Sequence, residues 1–280
     1  MNHFFYCAAI YYTLFWVTLL TAPPAVLAQS MPREDLRSGL LATTADTNAS
    51  SSINPAATGY DGYSSVRLWV YDPYGIAEIR TQGAGFSRAT GSTGFGLSVQ
   101  SVSYDRLALV HGNVILAREI SRSEGSLVRI GLKLKLEYAR LSSHLSPRRG
   151  HVTAGIQFGI LIQILPGIHV GSVLGNWIPT SSRSVSGTGF DAGMGIGIQL
   201  SRRTRLLSDI RRTKFFGTDV RVGMEFTPVH VLRIQTGMAT NPERFTLGIT
   251  FALRPVLLHF SVDRHNLLGT SRLAEMELEF

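Results

Sequence analysis

The sequence predicts an all-β fold, a transmembrane antiparallel β-barrel of about fourteen strands with an N-terminal plug segment. Three observations predict it. From Val66 onward apolar and polar residues alternate with a period of two, the repeat of strands whose two faces meet different surroundings. Several stretches of this alternation reach the roughly 9–11 residues that a tilted strand needs to cross a bilayer. The last run, TSRLAEMELEF, sets Ala274, Met276, Leu278 and Phe280 against Glu275, Glu277 and Glu279. A final strand that ends on an aromatic suits the closing strand of an outer-membrane barrel, and Phe280 is expected to anchor it at the interface as a C-terminal barrel signal.

The N-terminal part reads differently. Phe4 to Leu20 is almost wholly apolar, Pro23 and Pro24 break the run, and Val26-Leu27-Ala28 precedes Gln29, so residues 1–28 are expected to be a signal peptide. Cys7 lies inside that segment and is the one cysteine of the chain. A mature protein without thiols has no disulfides and no cysteine-based metal site or nucleophile. Residues 29–63, with the SSINPAATG run, are expected to be a plug or hatch, turning at Asn54, Pro55 and Ala56.

Residues 64–280 are expected to form the barrel. The clearest strand is 128–138, with Val128, Ile130, Leu132, Leu134, Leu136 and Tyr138 opposite Arg129, Lys133, Lys135 and Glu137. Residues 151–162, 190–200 and 245–253 repeat the pattern, and 220–226 and 256–262 do so over shorter spans. The full set of expected spans is 65–72, 76–88, 93–103, 107–120, 125–141, 150–163, 165–178, 189–203, 204–212, 217–227, 229–238, 243–253, 256–264 and 270–280. An even count puts both chain ends on the periplasmic side. Connections after even strands are mostly tight, as at Arg254-Pro255, whereas those after odd strands include the longest, around Ser142–Arg149 and Pro179–Thr188. Many of the 28 glycines sit on the polar faces, where they weaken an ordinary sheet but leave room for a segment to approach the wall.

Chemistry is sparse. No nucleophile elbow, phosphate loop, zinc-binding histidine pair or calcium loop occurs, and GTGFDAGMGIG has the wrong spacing for a dinucleotide fingerprint. His259 and Asp263 share an expected lumen face but stand about 13 Å apart along one strand, too far for one ligand sphere. The expected lumen-lining set is Arg129, Lys133, Lys135, Arg221, Glu225, His259, Asp263, Glu275 and Glu277, charges that need partners in a confined interior. No enzyme activity, cofactor or metal is expected. The net charge of +8 would suit nucleic acid, but export excludes it, and the basic residues gather at segment ends, where anionic headgroups account for them.

Ser52-Ile53-Asn54-Pro55-Ala56-Ala57, together with the ending from VRVGMEFTPVHVLRIQTGMATNPERFTLGITF through LLHFSVDRHNLLGTSRLAEMELEF, resembles the PorV/PorQ-type family of outer-membrane proteins. These are structural relatives of the long-chain fatty-acid transporter barrels. The match rests on the Arg233, Gly237, Pro242, Phe245 and Gly248 spacing, then on Asp263 and Leu268-Gly269-Thr270. Arg264 stands where the family has Tyr or Ala. The resemblance implies a plugged fourteen-strand barrel in the outer membrane that acts as a component of protein export or surface assembly, in the manner of type IX secretion. Its implied partners are outer-membrane lipid, the barrel-assembly machinery and exported proteins or other secretion components. The alternative is a passive transporter of hydrophobic or small solutes through the plugged barrel, and a third class is a structural barrel without traffic.

Overall fold

Fourteen antiparallel strands close on themselves. The computed structural model describes residues 53–60, 62–76, 79–104, 107–123, 125–143, 146–179, 189–213 and 217–280. The expected signal peptide, most of the expected plug and the Pro179–Thr188 connection beyond Pro179 lie outside the described residues. The strands are β1 (Ser65–Asp72), β2 (Thr81–Thr90), β3 (Thr93–Tyr104), β4 (Leu107–Ser123), β5 (Ser126–Ser143), β6 (Ser146–Leu165) and β7 (Ile168–Pro179). They continue with β8 (Gly189–Gln199), β9 (Thr204–Thr213), β10 (Gly217–Val229), β11 (Leu232–Thr240), β12 (Glu243–Leu253), β13 (Val256–His265) and β14 (Gly269–Glu279). Each strand pairs with its sequence neighbours, and β1 pairs with β14 from Ser65↔Glu279 to Asp72↔Arg272.

Side-chain environment decides against a soluble sandwich. Leu132 is 43% exposed, Ile156 49% and Leu247 42%, whereas Lys133, Gln157 and Thr246, their neighbours on the other face, are at most 1% exposed. A water-soluble sheet would bury the first set and solvate the second. Here the apolar face surrounds the barrel and the polar face fills it, the arrangement a lipid-embedded barrel requires. An exception lies in β8, where Ala192 is buried although its register partner Leu174 is exposed.

Several expected boundaries move. The strand expected over 76–88 begins at Thr81, and the gap expected before it holds a 3-10 turn over Pro73–Gly75. Pro73 fixes its own φ and lacks an N–H, and Tyr74 and Gly75 take φ values of 53° and 72°, which no strand continues. The long connection expected around Ser142–Arg149 shrinks to residues 144–145, since β5 and β6 run on to Ser143 and Ser146. The even-to-odd connections that are described, such as Gly91-Ser92 and Arg254-Pro255, are tight, which makes that end periplasmic.

The seam between β14 and β1 extends one residue past the strand. The Phe280 N–H donates to Ser64 O at 2.9 Å, and the Ser64 N–H donates to Phe280 O at 3.2 Å. The Phe280 ring is 67% exposed, as an interfacial anchor would be. Deleting Phe280 removes this bond pair and the ring together. We expect a several-fold lower yield of the assembled, heat-modifiable barrel by gel shift; an unchanged yield would show that the seam closes without it.

Candidate functional site

The site is the inner wall where residues 53–60 lie against β2 to β7. Asn54 starts a short 3-10 turn over Pro55–Ala57, in which its side chain accepts the Ala56 N–H at 3.0 Å and Pro55 takes the first turn, where no N–H is needed. Ile53 through Thr58 are all at most 1% exposed apart from Pro55, which is also buried. Their carbonyls find donors on the wall. Arg129 donates from Nε to Ala56 O at 3.1 Å and from Nη2 to Thr58 O at 2.8 Å. Gln157 Nε2 donates to Ile53 O at 2.9 Å, and Asn54 Nδ2 donates to Ile160 O at 3.1 Å. Tyr60 completes the seat. Its hydroxyl donates to Gln163 Oε1 at 3.1 Å, its ring meets His169 edge-on at 6.3 Å, and the Arg129 guanidinium lies 5.8 Å from its centroid.

Glycines let the backbone come this close. Gly131 and Gly159 are register partners on β5 and β6. A Cβ on Gly131 would overlap the Pro55–Ala56 peptide, and one on Gly159 would overlap Asn54 Oδ1 and reach Pro55 Cδ at 2.8 Å. Gly94 stands in the same relation to the Thr58 carbonyl. These contacts lie near the tight-turn end of β3, β5 and β6, so the segment sits at the periplasmic mouth.

The remaining expected residues point inward and separate into clusters. Lys133 is fully buried between its register partners Ile115 and Gln157, and Lys135 is half-buried beside Asn113 and Gly155. Arg221 donates to Asp219 Oδ2 at 2.6 Å, while Asp219 Oδ1 accepts the Thr240 and Asn241 N–H groups at 3.1 and 3.0 Å, fastening the β11–β12 turn. Glu225 accepts from Gln235 at 3.0 Å and lies 3.7 Å from Arg233. Asp263 accepts from Thr246 at 3.0 Å and faces Arg244 at 3.7 Å. His259 shares a 2.8 Å hydrogen bond with Thr250, and its register partner across the seam to β14 is Glu275. Glu277 is paired in register with Arg67 of β1. The structure thus brings Asn54, Pro55, Ala56 and Arg129 together and leaves the others spread around the wall.

At the extracellular end the Pro73–Gly75 turn folds onto β14. The Tyr74 N–H donates to Ser271 Oγ at 3.0 Å, and its ring meets His265 edge-on at 6.0 Å. Burial pushes the Tyr74 phenol above its ordinary range. Gln157 and Tyr60 join the seat without having been singled out in the sequence; the signal that points to Gln157 is Gly155 and Gly159 on the same polar face, and Tyr60 carries none. Among the described residues no group of three or more His, Cys, Asp or Glu side chains is placed to hold a metal ion, and no helix is long and apolar enough to cross a membrane.

No protein-family model and no curated protein sequence matches the chain. Solved structures do. The toluene transporter TbuX of Ralstonia pickettii superposes with a TM-score of 0.60 at 10% identity, over 89% of this chain and 97% of that one. The toluene transporter TodX of Pseudomonas putida gives 0.59 at 11% identity over 92% and 98%. The monoaromatic hydrocarbon channel CymD gives 0.59 at 10% identity over 91% and 98%. At such identity the likeness is one of fold. With the exposed apolar belt, it defines the class: the chain is an outer-membrane β-barrel protein.

These matches correct the sequence reading. The three barrels named, which share this fold along nearly the full chain, are described as toluene transporters and a hydrocarbon channel, so the PorV/PorQ-type resemblance does not stand. The expected role in protein export falls with it, as do the secretion-component partners. The short NPA and C-terminal motifs report barrel anatomy in this chain, namely a tucked turn and a closing strand.

Proposed function

We propose that this protein is a passive outer-membrane transporter of hydrophobic or small solutes, with the N-terminal segment as its plug and no enzymatic chemistry. The observation that carries the reading is a closed fourteen-strand barrel with residues 53–60 bonded to the inner wall at the periplasmic mouth. The toluene transporters and the hydrocarbon channel of the same fold support the solute class. Asn54, Pro55 and Ala56 form the plug turn, and Arg129 is the residue that holds it. The tight burial of Arg129, Lys133 and Gln157 supports reading this as a closed resting form. Passage then requires residues 53–60 to shift from the wall, and the charged lumen side chains act as the polar lattice that keeps the wall in shape meanwhile.

The test is uptake of radiolabelled toluene by cells that lack a hydrocarbon channel of their own, with and without this chain in the outer membrane. Expression is expected to raise the initial rate several-fold. A rate equal to that of the empty vector, with the assembled barrel present, would overturn the proposal.

A further inference from the structure

The outer surface carries a feature that solute passage does not use. Across β13, β14, β1, β2 and β3 the lipid-facing side is indented by a groove of about 570 Å³. Its floor is made of small residues, Ala84 and Ala274, and its walls of Leu68, Val99, Phe260 and Met276. Two register rows define it: Leu258–Met276–Leu68–Ala84–Val99, and above it Phe260–Ala274–Val70–Gln82–Ser101. The upper row ends in two polar side chains, Gln82 and Ser101, on a face that otherwise meets lipid.

One row nearer the cell exterior the chemistry changes. Arg272 pairs in register with Asp72 and Val262, and Arg264 is its diagonal neighbour through Thr270, about 7–8 Å away between Cα atoms on a common face. Both side chains are exposed and point outward. The acidic groups nearby are already engaged. Asp72 takes a two-pronged contact from Arg80, at 2.6 Å from Nε and 3.3 Å from Nη2, and Glu243 of β12 accepts from Asn266. Among the described residues neither Arg264 nor Arg272 makes a hydrogen bond or an ion pair. Two guanidinium groups thus stand together at the outer boundary of the apolar belt, directly above an apolar groove.

We propose that this groove and its arginine rim bind one bisphosphorylated, acylated glycolipid of the outer leaflet, of the lipid A type. Each guanidinium presents a planar fork of donors that matches a phosphate in a bidentate way. The groove takes an acyl chain along Ala84 and Ala274, where bulkier residues would leave no channel. Gln82 and Ser101 sit at the depth where ester and amide groups of such a lipid lie. The site is on the side of the wall away from the lumen and is independent of what passes through the barrel.

The full chain in detergent, titrated with lipid A and followed by native mass spectrometry, tests the proposal. One lipid A is expected to remain bound, while lipid A stripped of both phosphates and phosphatidylglycerol bind at least tenfold more weakly, because two interfacial arginines are each matched by a phosphate only in the intact glycolipid. Inorganic phosphate in millimolar excess should not displace it. Arg264→Gln with Arg272→Gln should weaken retention roughly tenfold or more, and Ala274→Phe, which fills the groove, should do so without any change of charge. Arg88→Gln, the loss of one positive charge from an outward position at the periplasmic end, should leave retention unchanged. Heat-modifiable migration verifies that each variant is an assembled barrel. Equal retention of phosphatidylglycerol, displacement by inorganic phosphate, or full retention by the double arginine variant would each overturn the proposal.

Discussion

Replacing Arg129 with Ala is expected to free residues 53–60 from the wall while leaving the barrel assembled. Arg129 supplies both donors that hold the Ala56 and Thr58 carbonyls, and it lies 2% exposed. A hydrogen bond to a charged group is worth about 1.5–3 kcal/mol, and the carbonyls left behind are buried, so the seated form loses roughly 3 kcal/mol or more. That corresponds to about a hundredfold rise in the unseated population. The strand itself loses little, because position 129 keeps its backbone ladder to Glu119 and Leu161, and Glu119 keeps its 2.7 Å partner Arg122. Reactivity of a cysteine placed at Ala57, in a Cys7→Ser background, measures the opening directly. Ala57 is fully buried in the seated form, so a membrane-impermeant maleimide should label it about a hundredfold faster in the Arg129→Ala protein. Arg129→Lys should fall between, since a single ammonium cannot span the two carbonyls as the guanidinium fork does. An unchanged labelling rate in Arg129→Ala would show that the turn is held by something else. Under the transport proposal, faster labelling should be accompanied by faster toluene uptake.

The barrel was largely legible in the sequence because its physics is a one-dimensional pattern. Lipid on one face and a polar interior on the other impose an alternation that residues 128–138 or 270–280 display without reference to any partner. Two registers, β12 and β1, even match the expected spans at both ends. What was not legible depends on which residues meet across the lumen. Nothing in the chain says that Arg129 and Gln157 reach the same short segment, since that depends on strand register and on the barrel's cross-section. The glycines on the polar faces hinted at a close approach but not at its partner. The start of β2 was misplaced for a related reason: the residues after the Pro73–Gly75 turn read as strand, while that turn docks on Ser271 through the Tyr74 N–H. Family resemblance misled where it drew on short motifs. A tucked NPA turn and an aromatic closing strand are features of barrel anatomy, and they do not distinguish protein export from solute passage.

Substituting Gly159 with Ala should unseat the same segment by a different physical route. The new methyl would fall on Asn54 Oδ1 and within 2.8–2.9 Å of the Pro55 ring. Neither neighbour is the free end of a flexible chain. Asn54 is fixed by its bonds to Ala56 and Ile160, and Pro55 by its own ring. Overpacking of this kind costs about 1–3 kcal/mol, occasionally more, so labelling at position 57 should rise roughly ten- to hundredfold. Gly112→Ala is the matching control, because a Cβ there meets nothing within 4 Å. The barrel should stay heat-modifiable in both, since alanine is compatible with the backbone ladders of β4 and β6. Combining Gly159→Ala with Arg129→Ala separates a shared mechanism from two independent ones. Mutations at separate sites add in free energy, whereas two that abolish one contact do not. Once the turn has left the wall, losing Arg129's donors removes nothing further, so the double variant should label little faster than the more severe single one. Multiplied rates would instead mean that Arg129 and Gly159 act on different parts of the molecule, and the seat described here would have to be divided in two.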